Sequence, residues 1–173
     1  EDLFKYVIKK TAGADIKTPF PRMTYDEAMS RFGSDKPDTR FGMEIAELKD
    51  IFAGTDFNIF KSAIDGGGSI FGIKVDGYAD ISRKEIDDLT VFARDNGAKG
   101  LAYFKFTEKG PESPIMKFFD QPRVKMAAEK LSVKTGDLVL IVADTNRKAA
   151  LESLGALRLN LAKARNIKKE EGF

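Results

Sequence analysis

The sequence predicts an α+β fold: a two-layer sandwich with a mostly antiparallel sheet of about four strands and helices on one face, preceded by a small helical segment. Apolar residues recur at helical spacing behind capping residues, as in Ile86, Leu89 and Phe92 behind Ser82. Short β-branched and aromatic runs, such as Ser69–Val75 and Leu138–Ala143, alternate with those helices. The runs Phe57–Ile64 and Ser69–Val75 are joined by Asp65-Gly66-Gly67-Gly68, which reads as a hairpin, and strands joined by a tight turn are antiparallel.

Each element follows from its residues. Leu3, Phe4, Val7 and Ile8 share one face of a helix over residues 1–10. Gly13 and Thr18-Pro19-Phe20-Pro21 break it. Thr24 starts a second helix, Glu27 completes a Thr-x-x-Glu capping box, and Gly33 stops it. Met43 to Phe52 predicts a third helix with Ile45, Leu48 and Phe52 inward and Gly54 at its end. After the two strands of the hairpin, Ser82-Arg83-Lys84-Glu85 caps a helix that Gly97 ends. Leu101–Phe106 is a strand. Asp120 caps a helix with Val124, Ala127, Ala128 and Leu131 on one face. Leu138–Ala143 is continuously apolar, as a central strand requires. Thr145 or Asn146 then caps a long helix carrying Leu151, Leu154, Leu157 and Leu161. The domain expectation is a helical segment at 1–54, an α+β unit at 55–146, and a long helix at 147–173 that completes it.

Composition removes several kinds of chemistry. The 173 residues include no histidine and no cysteine. That excludes Ser-His triads, Cys-His dyads, ordinary zinc sites and disulfides within the chain. Carboxylate-only Mg²⁺ sites are the remaining metal option. The 29 basic and 27 acidic residues give a net charge of +2, weaker than the basic bias of a bare nucleic-acid binder. The cluster Lys163, Arg165, Lys168 and Lys169 reads as a solvated helix end. No apolar run is long enough to span a membrane.

Three further patterns invite a functional reading, and each has a simpler one. Gly66-Gly67-Gly68 lacks the Lys-Ser/Thr of a phosphate loop and leads into a strand, so it reads as a turn. Asp137 and Asp144 bracket the apolar strand and read as turn or cap residues. Phe57, Phe60, Phe71, Phe104 and Phe106 read as core rather than base-stacking platforms. The segment from Gly33 to Gly42 is the best candidate for something specific. Asp35, Lys36, Asp38 and Arg40 surround Pro37, which fixes its own φ and biases Lys36 toward extended backbone. These four residues are candidates for RNA contact or for a join between structural units.

Along its whole length the chain resembles bacterial-type aspartyl-tRNA synthetase. The resemblance rests on Thr18-Pro19-Phe20-Pro21-Arg22-Met23, Ser34-Asp35-Lys36-Pro37-Asp38, Gly97-Ala98-Lys99-Gly100-Leu101-Ala102, Gly136-Asp137 with Ala143-Asp144, and Leu154-Gly155-Ala156-Leu157-Arg158. It implies that residues from about 56 onward form the GAD insertion module, an α+β sandwich shared with some Glu-tRNA(Gln) amidotransferases. It implies that residues 1–54 come from a class II catalytic domain. The family's ATP, aspartate and Mg²⁺ residues lie before and after this stretch, so no catalytic, cofactor-binding or metal residue is assigned. Gly155-Ala156-Leu157-Arg158 lacks the alternating glycines of the family's ATP-binding motif and reads as a helix packed closely on a neighbour. The chain also lacks a starting Met. It is therefore expected to be an inactive internal fragment of a cytoplasmic ligase. The parent would be a homodimer that uses ATP and Mg²⁺ to charge tRNA(Asp), with this segment near the acceptor end. Alternatives are the amidotransferase module and a plain protein-interaction module.

Overall fold

The strand at Leu138–Asp144, apolar as far as Ala143, is the centre of the molecule, and every residue in it is buried. The computed structural model describes residues 1–167. In chain order the elements are α1 (Asp2–Ala12), α2 (Tyr25–Phe32), β1 (Ala46–Glu47), α3 (Lys49–Phe52), α4 (Asn58–Asp65), β2 (Ser69–Val75), α5 (Arg83–Asp95), β3 (Ala102–Thr107), β4 (Gly110–Glu112), α6 (Gln121–Lys130), β5 (Leu138–Asp144) and α7 (Arg147–Ala164), with a short 3-10 turn at Met116–Phe118 before α6. The five strands form one open sheet in the order β1-β2-β5-β3-β4. Every neighbouring pair is antiparallel. The α+β class and the antiparallel sheet are as the sequence predicts, with five strands.

The pleat divides the core in two. Phe71, Ile73 and Val75 of β2 pair with Val142, Leu140 and Leu138 of β5 and face α5 and α7. Ile70, Val139, Ile141 and Phe104 point to the other face, where α3, α4 and α6 cover them with Leu48, Phe52, Phe60, Val124 and Ala127. Helices therefore lie on both faces, not one. This accounts for the unbroken apolar character of β5, which has no solvent side.

The caps set the helix boundaries much as the sequence implies. Ser82 and Glu85 form a reciprocal capping box, and Asp120 and Asn146 accept from the amides of Arg123 and Ala149. At α2 only half the expected box forms. The Thr24 hydroxyl accepts from the Glu27 amide at 3.2 Å, but the Glu27 carboxylate turns to Arg31 at 2.6 Å.

Two segments differ from expectation. Residues 57–64 were expected as a strand closing a hairpin, but Asn58–Asp65 is a helix. Phe57, Phe60 and Ile64 are spaced for a helix face, and they pack on the second core while Ile59 is exposed. The three glycines at 66–68 thus join a helix to a strand. A Cβ on Gly68 would run into the backbone of Asp144 and Thr145, so this turn fits only glycine there. Residues 43–52 were expected as a continuous helix. Met43 instead has φ 63°, Ala46 and Glu47 pair with Gly72 and Phe71, and only Lys49–Phe52 is helical. The inward set of Ile45, Leu48 and Phe52 is nevertheless buried.

At the N-terminus, α1 forms as the periodicity implies, but Leu3, Phe4 and Val7 are exposed.

Candidate functional site

The segment between α2 and β1 is held by a backbone contact and a buried arginine. Gly33 ends α2 in the left-handed region at φ 67°, and its N–H donates to the Met29 carbonyl at 2.9 Å. There it meets α7 at Gly155. A Cβ on Gly155 would stand 2.7 Å from the carbonyl oxygens of both Phe32 and Gly33. Gly155 therefore admits a neighbour, as its place in a leucine-rich helix suggests.

Arg158 lies one turn further along α7 and is 1% exposed. Its Nη2 donates to the carbonyls of Asp38 at 2.6 Å and Phe41 at 3.0 Å. Its guanidinium stacks over the Phe41 ring at 4.1 Å and the Phe32 ring at 4.8 Å. Burial pushes its pKa down, and the nearby Asp38 and Glu44 charges oppose that shift. Arginine keeps its proton even so. Arg158 thus ties α7 to both ends of the Asp38–Phe41 stretch. The sequence reading did not single out its role. The available signal was its position four residues from Leu154, on the buried stripe of α7.

The four sequence candidates separate into two kinds. Asp38 and Arg40 pair with each other: Arg40 Nε and Nη2 donate to the two carboxylate oxygens of Asp38, each at 2.9 Å. The Arg40 amide also donates to Asp38 Oδ1 at 3.2 Å. Asp38 raises the Arg40 pKa further. Asp35 and Lys36 are exposed, and the Lys36 amide donates to Ser34 Oγ at 3.1 Å. Arg31 adds a second clamp, reaching Glu27 at 2.6 Å and Glu44 at 2.7 Å. That contact holds the Glu44 carboxyl below the usual carboxylate range. Arg40 within the segment and Arg31 before it are thus matched by carboxylates, while Lys36 is exposed.

The other sequence candidates have structural roles. Asp137 accepts from the Gly77 and Lys134 amides, each at 2.8 Å, and so ties two turns together. Asp144 accepts from the Asn146 amide at 2.8 Å and from Lys99 Nζ at 3.0 Å. Burial pushes the Asp144 carboxyl up, but these donors outweigh it and leave it below its ordinary range. Phe60, Phe71 and Phe104 are buried, while Phe57 and Phe106 pack against the second core. In the basic run, Arg165 is half-buried. It stacks on Tyr78 at 3.9 Å and donates to the Gly77 carbonyl at 3.1 Å. Lys163 is exposed, and Lys168 and Lys169 lie outside the described residues.

Among the described residues no group of three or more acidic side chains is placed to hold a metal ion. The guanidinium of Arg158 is enclosed by two carbonyls and two rings, so it does not fit a nucleotide triphosphate. No helix among the described residues is long and apolar enough to cross a membrane.

Residues 60–154 match the model of the GAD domain family. The chain belongs to that family. The match runs from α4 to the middle of α7 and includes β2, β3, β4 and β5. Similarity to whole proteins runs further. An aspartate–tRNA ligase of Clostridium tetani is 46% identical over 170 residues, covering 98% of this chain. One from Clostridium acetobutylicum is 48% identical over 170 residues, also 98% of the chain. An aspartate–tRNA(Asp/Asn) ligase of Caldanaerobacter subterraneus is 44% identical over the full 173 residues. The chain spans only 28–29% of the length of these relatives. The GAD domain here is thus one also carried by aspartate–tRNA ligases, and the segment that precedes it is shared with them as well.

Proposed function

We propose that the chain is the accessory insertion region of an aspartate–tRNA ligase, together with the segment that joins it to a catalytic domain. One observation carries this reading. The similarity to aspartate–tRNA ligases covers at least 98% of the chain, whereas the GAD match covers only residues 60–154. The braced segment from Gly33 to Gly42 lies outside the GAD match. A GAD module from an amidotransferase would account for the domain but not for that segment.

On this reading Asp35, Lys36, Asp38 and Arg40 belong to the junction. The internal pairing of Asp38 with Arg40 and the grip of Arg158 on the Asp38 carbonyl favour a fixed connection between two units. Aspartyl-adenylate formation, with its ATP and Mg²⁺, belongs to the rest of the longer protein, as does the homodimer surface. The insertion region sits near the acceptor end of tRNA(Asp), in a cytoplasmic enzyme. Contact with RNA, where it occurs, is mainly with backbone phosphate and is salt-sensitive.

A filter-binding titration of the 173-residue chain with tRNA(Asp) at about 50 and about 200 mM salt tests the RNA part. Weak binding that falls several-fold at the higher salt is expected, and no binding at low salt counts against direct contact. ATP–pyrophosphate exchange tests the accessory assignment. The chain alone should show none, and robust exchange would overturn it.

A further inference from the structure

An apolar cavity lies away from the junction, at the end of the sheet where β3 begins. The pairing of β3 with β5 stops at Ala102↔Ile141, so Ala143 and Asp144 run on without a β3 partner. Helix α4 on one face and α5 on the other bracket the resulting gap of about 560 Å³. Phe60, Ala63 and Ile141 line its inner part, and Leu101, Tyr103 and Ile115 line its walls. That size and the largely apolar lining are those of a small-molecule site.

Three charged side chains line the cavity: Arg94, Lys99 and Asp144. Lys99 is already engaged, with Asp144 at 3.0 Å and Thr145 Oγ1 at 3.3 Å. The Lys99 charge is thereby offset, and the Asp144 carboxylate would repel a second anion placed beside it. Arg94, near the end of α5, makes no side-chain hydrogen bond or ion pair among the described residues. Its planar guanidinium is a ready two-point donor for an oxyanion.

We propose that this cavity binds a small amphipathic anion, with an aromatic or branched aliphatic body on the apolar walls and a single carboxylate, sulfonate or phosphate head on Arg94. The site is separate from the junction, and the assignment does not depend on the ligase reading.

Fluorescence titration of the 173-residue chain with 8-anilinonaphthalene-1-sulfonate tests it, beside the uncharged analogue N-phenyl-1-naphthylamine. Arg94→Ala and Ser62→Trp are the variants, because both positions line the cavity and both residues are exposed. Arg94→Ala should weaken the sulfonate dye about tenfold, about 1.4 kcal/mol by the usual conversion, and leave the neutral dye unchanged. Ser62→Trp, which places an indole in the opening, should weaken both dyes. Exposed apolar residues on α1 also attract such dyes, but neither variant alters them. Unchanged binding in both variants overturns the site. Loss in Arg94→Ala alone, with Ser62→Trp binding normally, overturns the cavity as the location. Equal loss of both dyes in Arg94→Ala overturns the anion-anchoring role.

Discussion

A side-chain carbon on Gly155 would stand 2.7 Å from the carbonyl oxygen of Gly33, so α2 and α7 touch backbone to backbone. The contact joins a segment outside the GAD match to a helix that the match only partly covers. It fixes where the Gly33–Gly42 segment starts, and Arg158 fixes where it ends.

Gly155→Ala sets two effects against each other. Alanine favours the helix by about 1 kcal/mol. The new methyl also meets two backbone carbonyls, which cannot rotate away as a side chain could, and overpacking of this kind costs about 1–3 kcal/mol. Net destabilisation is expected in urea unfolding. Gly33→Ala should be worse, because it adds a left-handed φ of 67° to a clash with the Leu151 carbonyl. A neutral or stabilising Gly155→Ala would show that the two helices are not in backbone contact.

Arg158→Ala removes the donor for the Asp38 and Phe41 carbonyls and empties the space between two rings. The expected cost is about 2–4 kcal/mol. The loss should be local as well as global. Amide exchange should speed up across residues 34–41 and stay slow in β5, measured under conditions where the variant is still folded. Uniform acceleration would mean that Arg158 supports the whole core rather than the segment.

Much of this was legible in the sequence where the signal is local. Ser82 with Glu85, Asp120, Asn146 and the glycines at 33 and 97 mark their elements because a cap is a contact within one turn. Strand β5 was legible because burial on both faces leaves only apolar residues from Leu138 to Ala143. Residues 57–64 misled because four phenylalanine and isoleucine side chains near a glycine run suit a strand by composition. Their spacing favours the helix, and packing on the second core decided it. Strand β1 has no local signature, since it exists through its pairing with Gly72. A Cβ on Gly72 would stand 2.8 Å from a Leu48 methyl, so that glycine makes room for the chain just after β1. The contacts of Arg158 and the cavity were not legible for the same reason. Their partners lie more than a hundred residues away in one case and on five separated segments in the other.

Leu140 and Phe104 test the two sides of the sheet independently. Leu140 is fully buried in the core shared with α5 and α7, and Phe104 is 2% exposed in the core shared with α3, α4 and α6. Truncation of either to alanine should cost about 2–5 kcal/mol. If helices covered a single face, one of the two would lose little. Comparable losses from both in chemical denaturation are expected, and a value near zero for Phe104 would remove the second layer.

Glu85 should carry part of the acid sensitivity of the fold. The Ser82 hydroxyl, the Ser82 amide and the Tyr78 hydroxyl, in that order, pull its pKa from 4.5 down to about 2. The amide and the Tyr78 hydroxyl each donate to the carboxylate at 2.9 Å. An acid whose folded-state pKa lies below its unfolded value stabilises the fold in its ionised form. That contribution is complete above the unfolded value near 4.5, and it is lost as pH falls toward 2. The wild type should therefore exceed Glu85→Gln in stability by more at pH 7 than at pH 2, with the difference closing between about 4.5 and about 2. Tyr78→Phe should raise the Glu85 midpoint in a carboxyl-detected NMR titration, since it removes one donor. A Glu85 midpoint at the ordinary glutamate value, or a stability difference that does not change with pH, would show that the capping box does not hold the charge.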